Sequence, residues 1–318
     1  MSDGRLANLL IVGVPKAGTT SLFGYLAQHP DICGSDEKEI GYFNYFSPLS
    51  DPGRALPPIE AYKAHFAHCR GERYALEATP SYSYGGKPVI NGIRELLGSP
   101  KVIMTLRNPT DRLWSAYTLQ RSLGNIPSIR SFDEYLTICE QRRRDGTDRQ
   151  GTSRLQGLAI GFYSDYVMAW LEAFGDDIKF VFAEKLAKEP ARTLDDLTRW
   201  LQIDPGVVPT LDLGARNVTA HARNPRVATV VFALKRAGDR LRILSPAIRE
   251  PLRRAYLRMN SGVLPERLDA ATRSRVDDIY RDSNLATAAA LAAQGYGNLP
   301  QWLKSVTHDG EPGSHRSP

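Results

Sequence analysis

Lys16 is where the chemistry of this sequence is best approached. It stands in Val12-Gly13-Val14-Pro15-Lys16-Ala17-Gly18-Thr19-Thr20-Ser21, where two glycines, small side chains and three hydroxyls surround one cation. A loop of this kind can turn backbone N–H groups toward an anion, and a helix beginning at Thr19 adds the partial positive charge of its N-terminus. Arg107 and Ser115 form a second group of the same character. A planar guanidinium fork suits a phosphate and a serine adds a hydroxyl donor, which together fit a terminal phosphomonoester. Between the two groups lies Ser35-Asp36-Glu37-Lys38-Glu39-Ile40-Gly41-Tyr42-Phe43-Asn44-Tyr45-Phe46, a charged stretch running into an aromatic one.

These residues need elements to hold them. The apolar run over residues 6–12, bounded by glycine, reads as a buried parallel strand, and residues 19–29 as the helix behind the Lys16 loop. Residues 73–76 suit a second strand, ending in Glu77-Ala78-Thr79-Pro80-Ser81-Tyr82, and residues 101–106 another, with the helix of a right-handed crossover over 88–97. Pro109 suits the first turn of a helix, so Arg107 falls at the carboxyl end of a strand and Ser115 about two turns into the helix. Open α/β sheets bind nucleotides at that edge. Residues 178–182 predict a further strand. Helices are predicted over 59–66, 131–144, 161–174, 191–203, 227–237, 247–259 and 269–294, and residues 215–226 form a basic loop with Arg216 and Arg223. The expected fold is one α/β domain over residues 1–305, a P-loop-like parallel sheet with helices on both faces and helical C-terminal additions after about residue 125. Residues 306–318 are polar, carry Gly and Pro, and are expected to be a disordered tail.

Composition narrows the class. With 42% hydrophobic and 24% charged residues in 318, the chain can bury a full core. The net charge of +6 comes from scattered arginines rather than a basic run interleaved with aromatics, which reads as solvated helix faces and ends, or else as a basic surface attracting an anionic cofactor or acceptor, and not as a nucleic-acid interface. No stretch approaches about 18 consecutive apolar residues, and the first strand follows Met1 too closely for a signal peptide, so a cytoplasmic chain without a membrane span is expected. Cys33, Cys69 and Cys139 show no paired spacing and are expected to be free thiols, and the six histidines show no metal-ligand spacing, so no metal is expected.

Gly13 and Gly18 have the separation of the nucleotide triphosphate loop G-x-x-x-x-G-K-[ST], but the lysine precedes the second glycine by two residues instead of following it, which argues against an ATP-dependent kinase. Pro-Lys-x-Gly-Thr-Thr-Ser after the first strand instead resembles the 5′-phosphosulfate loop of the sulfotransferases that use PAPS (3′-phosphoadenosine 5′-phosphosulfate). Arg-x-Pro followed by a serine eight residues after the arginine resembles their 3′-phosphate motif. Lys38-Glu39, an aliphatic residue and then an aromatic pair resemble a segment of the heparan sulfate type, in which the glutamate is general base. Glu77-Ala78-Thr79-Pro80-Ser81-Tyr82 is similar to that family's Glu-Lys-Thr-Pro-x-Tyr, with Ala78 in place of a lysine near the reacting hydroxyl. Gly161-Phe162-Tyr163 with Trp170-Leu171 resembles a further family helix.

The resemblance implies PAPS as cosubstrate, with no metal, held by Lys16, Ala17, Gly18, Thr19, Thr20, Ser21, Arg107, Ser115, Arg216 and Arg223. Lys16 and Glu39 are then catalytic, with Glu37 and Glu77 as rivals for the base. The acceptor is a small molecule or glycan, bearing the hydroxyl of a sugar, glycolipid or secondary metabolite; a phenol or tyrosine is the alternative, and a kinase the remote one.

Overall fold

The computed structural model describes residues 4–49, 55–149, 153–214, 221–222, 261–262 and 268–304. Five short parallel strands form one sheet: β1 (Leu9–Ile11), β2 (Ile32–Gly34), β3 (Tyr74–Ala78), β4 (Lys101–Leu106) and β5 (Ile178–Phe182), in the order β2-β3-β1-β4-β5. β1 is central, pairing Leu9 with Leu76 on one side and with Lys101 on the other. From β1 the chain goes to the edge strand β2, returns to β3 between them, and then crosses to β4 and β5 on the other side. The loops leaving β1 and β4 therefore diverge and open a crevice at the carboxyl edge.

The sheet is apolar throughout because both faces are covered. Leu10, Val12, Val102, Met104 and Phe180 pack against α3 (Gly86–Leu97) and α7 (Ser164–Phe174). The alternate residues Leu9, Ile11, Leu76, Ile103 and Val181 face α1 (Thr19–Leu26) and α9 (Pro190–Leu201). This period-2 division of a continuous apolar run is what a doubly covered parallel strand requires. A third cluster, with Leu113, Tyr117, Phe132, Tyr135, Leu158 and Tyr280, joins α4 (Pro109–Ser122), α5 (Phe132–Arg144), the one-turn α6 (Gly157–Ile160) and the long helix Ala270–Ala293. The expected α/β fold with helical additions is the observed one. Its short elements α2 (Ile59–Ala64) and α8 (Ala183–Lys188) are helical, and His221–Ala222 pairs antiparallel with Ser261–Gly262. The helices expected over 227–237 and 247–259, the tail 306–318, and both Arg216 and Arg223 lie outside the described residues.

Three expectations are corrected. β3 runs on through Glu77 and Ala78 rather than ending before them, and β2 lies where no element was predicted. The helix expected over 161–174 begins only at Ser164, because the chain turns at 161–163 between α6 and α7. Cys33 and Cys69 are joined in a disulfide with Cα atoms 5.7 Å apart, whereas Cys139 is free and buried. Pairing β2 with β3 sets Cys33 on the edge strand, within reach of the chain that follows α2, a proximity that a separation of 36 residues does not reveal.

Gly13 is required by packing. A Cβ there would lie 2.0 Å from Thr105 Oγ1 and 2.2 Å from Thr105 N, so the chain leaving β1 passes directly over β4. Gly13→Ala should lower stability by about 3 kcal/mol, because the obstruction includes backbone that has nowhere to move. Urea unfolding with an unchanged m-value would measure it; a loss under about 0.5 kcal/mol would show that the approach relaxes freely.

Candidate active site

A cleft of about 690 Å³ opens at the carboxyl edge of the sheet, a size suited to a nucleotide-scale ligand. The β1–α1 loop contributes Pro15, Lys16, Gly18, Thr19, Thr20 and Ser21 to its wall. Gly18 takes the left-handed conformation at φ 82° and lets the chain turn directly into α1, whose first residue is Thr19. Ala17 is not on the cleft wall: its side chain is buried in the core.

Lys16 is itself left-handed at φ 72°. Burial, and secondly the charge of Arg107, pull its ammonium pKa below the ordinary lysine value. Arg107 is half-buried and its Nη1 donates to the Lys16 carbonyl oxygen at 3.1 Å, tying the end of β4 to the β1–α1 loop. The Arg107 carbonyl in turn accepts from the Tyr163 hydroxyl at 2.6 Å. Asn108 caps α4, its Oδ1 accepting from the N–H groups of Thr110 at 2.9 Å and Asp111 at 3.2 Å, and Pro109 is the first helical residue as the sequence predicts. That geometry puts Asp111, Ser115 and Leu119, at helical spacing, on the cleft wall.

Glu39 also lines the cleft. Its side chain is 59% exposed and accepts from Lys38 Nζ at 2.8 Å. Its N–H donates to the Ala78 carbonyl at 3.1 Å, and its φ of 71° is left-handed. Among the described residues, Lys16, Glu39 and Gln202 are the non-glycine residues in that region, and the first two share this cleft. Strain of this kind persists only where the surroundings hold it, and it concentrates at functional sites.

The two rival carboxylates lie elsewhere. Glu37 is exposed and does not line the cleft. Glu77 is fully buried and its partners are hydroxyls rather than an arginine: Tyr62 at 2.6 Å, Tyr82 at 2.6 Å and Thr79 at 2.8 Å. Burial raises its carboxyl pKa, against the three hydroxyl donors that lower it.

Pro80 and Ser81 of the Glu77–Tyr82 stretch, Tyr84 just beyond it, and Ala183, Glu184 and Ala187 after β5 also line the cleft, none of them assigned to the site from the sequence. Burial pushes the Tyr84 hydroxyl up to about 12. Glu184 Oε1 accepts from the Asn108 N–H at 2.7 Å and so fixes the turn into α4. Their one sequence signal was position, since each follows a parallel strand. Cys33, His68 and Cys69 bring possible metal-ligating atoms within 4.8 Å of one another, but the two sulfurs are bonded together.

A family model described as a sulfotransferase domain matches residues 6–212. The human bifunctional heparan sulfate N-deacetylase/N-sulfotransferase 1 is 26% identical over 310 residues, covering 94% of this chain and 31% of that protein. The Drosophila melanogaster protein of the same description is 25% identical over 314 residues, covering 94% of this chain and 27% of its own length. The chain thus spans about a third of the length of these curated relatives. The crystal structure of a sulfotransferase from Alicyclobacillus acidocaldarius has the same fold, with a TM-score of 0.63 at 24% identity over 94% of this chain and all of that one. With the family match spanning most of the chain, including the Lys16 loop, Glu39 and the Arg107–Ser115 turn, this protein belongs to the sulfotransferase family and is a transferase.

Proposed function

We propose that the protein transfers a sulfuryl group from PAPS to an acceptor hydroxyl and releases adenosine 3′,5′-bisphosphate (PAP). The observation that carries this reading is that one cleft is lined by Lys16, by Arg107 with Ser115, and by Glu39. The residues suit the cosubstrate: two cations lie on the wall of a cleft of nucleotide size, with the start of α1 opening onto it. In this reading the Lys16 loop through Ser21 holds the 5′-phosphosulfate, and Arg107 and Ser115 hold the 3′-phosphate, assisted by Arg216 and Arg223. The acceptor oxygen bonds to sulfur as the bond from sulfur to the bridging oxygen breaks. The electron pair remains on the 5′-phosphate, where Lys16 offsets the charge, and the acceptor proton passes to Glu39. No metal is assigned to these steps.

A sugar, glycolipid or secondary-metabolite hydroxyl is the acceptor proposed, with a phenol as the alternative. An amine is a second reading, favoured by the relatives' description as N-sulfotransferases. We read residues 1–305 as one domain. No described helix is long and apolar enough to cross a membrane; cytoplasmic residence is the proposal, against which the Cys33–Cys69 disulfide weighs, since such bonds persist in oxidising compartments.

Calorimetric titration tests the donor. PAPS should bind more tightly than its analogue lacking the 3′-phosphate by about 2 to 4 kcal/mol, the worth of charge-assisted bonds from Arg107 and Ser115. Equal affinities, or tighter binding of Mg-ATP, would overturn the assignment and return the cleft to the kinase reading.

A further inference from the structure

Glu77 is a carboxylate sealed inside an aromatic cluster. Tyr62, Tyr82 and Phe43 surround its position on β3, with ring centroids 5.6 Å apart for Phe43 and Tyr62 and 5.5 Å for Phe43 and Tyr82. No cation is among its hydrogen-bond partners. Burying such a charge is costly, and an apolar side chain between two phenylalanines would fill the space more cheaply. What the charge adds is direction.

Each hydroxyl has one proton. Thr79 and Tyr82 both donate theirs to Glu77 Oε1, which leaves each hydroxyl able only to accept from elsewhere. Both then accept from the backbone of one turn: Thr79 Oγ1 from the Gly41 N–H at 3.2 Å, and the Tyr82 hydroxyl from the Phe43 N–H at 3.2 Å. That turn is the 3-10 segment Tyr42–Phe46 with its N-cap Gly41, and it begins three residues after the left-handed Glu39. Gly41 is left-handed as well, at φ 71°. The segment leaving Glu39 is thus anchored at Gly41 and Phe43 through the two hydroxyls, and at Glu39 itself through the bond to Ala78, the residue after Glu77.

We propose that Glu77 is a positioning residue: by polarising the hydroxyls of Thr79 and Tyr82 toward itself, it fixes the turn that holds Glu39 in its strained conformation on the cleft wall. This rests on the reading of Glu39 as the base. It also gives the Glu-x-Thr-x-x-Tyr spacing of this chain a physical role, since Thr79 and Tyr82 both converge on the Glu77 carboxylate.

The test uses Thr79→Val, Tyr82→Phe and the control Thr79→Ser, each made in the native chain and in Glu39→Gln. Hydrolysis of PAPS, with water in the place of the acceptor and PAP release as the readout, removes the unidentified acceptor from the measurement. Thr79→Val and Tyr82→Phe should each slow hydrolysis about 10-fold while PAPS affinity stays within about 2-fold, and Thr79→Ser should restore the rate. In the Glu39→Gln background the same changes should add less than about 2-fold, because they act through the group already removed. Amide hydrogen exchange over residues 40–46 should quicken about 10-fold in both variants and return to native in Thr79→Ser. Equal losses in both backgrounds would reduce the network to a packing element and overturn the proposal, as would native exchange rates in Thr79→Val and Tyr82→Phe. Unchanged hydrolysis in Glu39→Gln alone would instead overturn the base reading, and the positioning role with it, even where the exchange data place the bonds as described.

Discussion

Glu39→Gln should lower turnover by about 10²- to 10⁴-fold while leaving PAPS affinity and stability near native. The substitution is isosteric, and Glu39 has 59% of its side chain in solvent, so neither core packing nor a buried network is disturbed. Its backbone bond to Ala78 is also untouched. What is lost is the ability to take a proton as the acceptor oxygen bonds to sulfur. An aliphatic hydroxyl attacks poorly while it keeps that proton, whereas a phenol is already more acidic, so a phenolic acceptor should lose less. The measurement is kcat against PAPS affinity, using a heparosan oligosaccharide, its de-N-acetylated form and a simple phenol as acceptor probes. Near-native kcat on all three would remove Glu39 from the mechanism. A loss confined to the de-N-acetylated probe would support an amine acceptor.

Lys16→Ala should cut kcat by about 10²- to 10³-fold with a smaller change in PAPS affinity, because its charge is worth most as the bridging oxygen becomes an anion. Arg107→Ala should do the reverse and chiefly weaken binding, its target being a phosphate whose charge does not change in the reaction. Equal losses in both quantities for both variants would defeat the division of labour. Burial first, and the neighbouring Arg107 second, lower the Lys16 pKa, so turnover should decline on the alkaline side at a pH below the ordinary lysine value of 10.5. In Arg107→Ala that limb should move back toward higher pH.

The sheet was largely legible from the chain. β4 and β5 agree residue for residue with their apolar runs, and Pro109 with the start of α4. β2 was missed because three residues give no periodicity to detect. β3 was cut short at Leu76 because a glutamate in a strand reads as its end, although Glu77 continues the strand and is neutral to the pattern only through its three hydroxyl partners. Lys16, Glu39 and the pair Arg107 and Ser115 come from three separate stretches, and the structure brings them to one cleft. Tyr84, Glu184 and the Cys33–Cys69 bond depend on three-dimensional proximity and carry no local spacing that would reveal them.

The left-handed backbone at Lys16 and Glu39 sets folding and chemistry against each other at the same two codons. Glycine would relax either position, at some loss of unfolded-state entropy, yet would delete the cation or the carboxylate. Heat resistance and activity are therefore opposing selection pressures here, and thermal screening alone would drift toward a sturdier, silent protein.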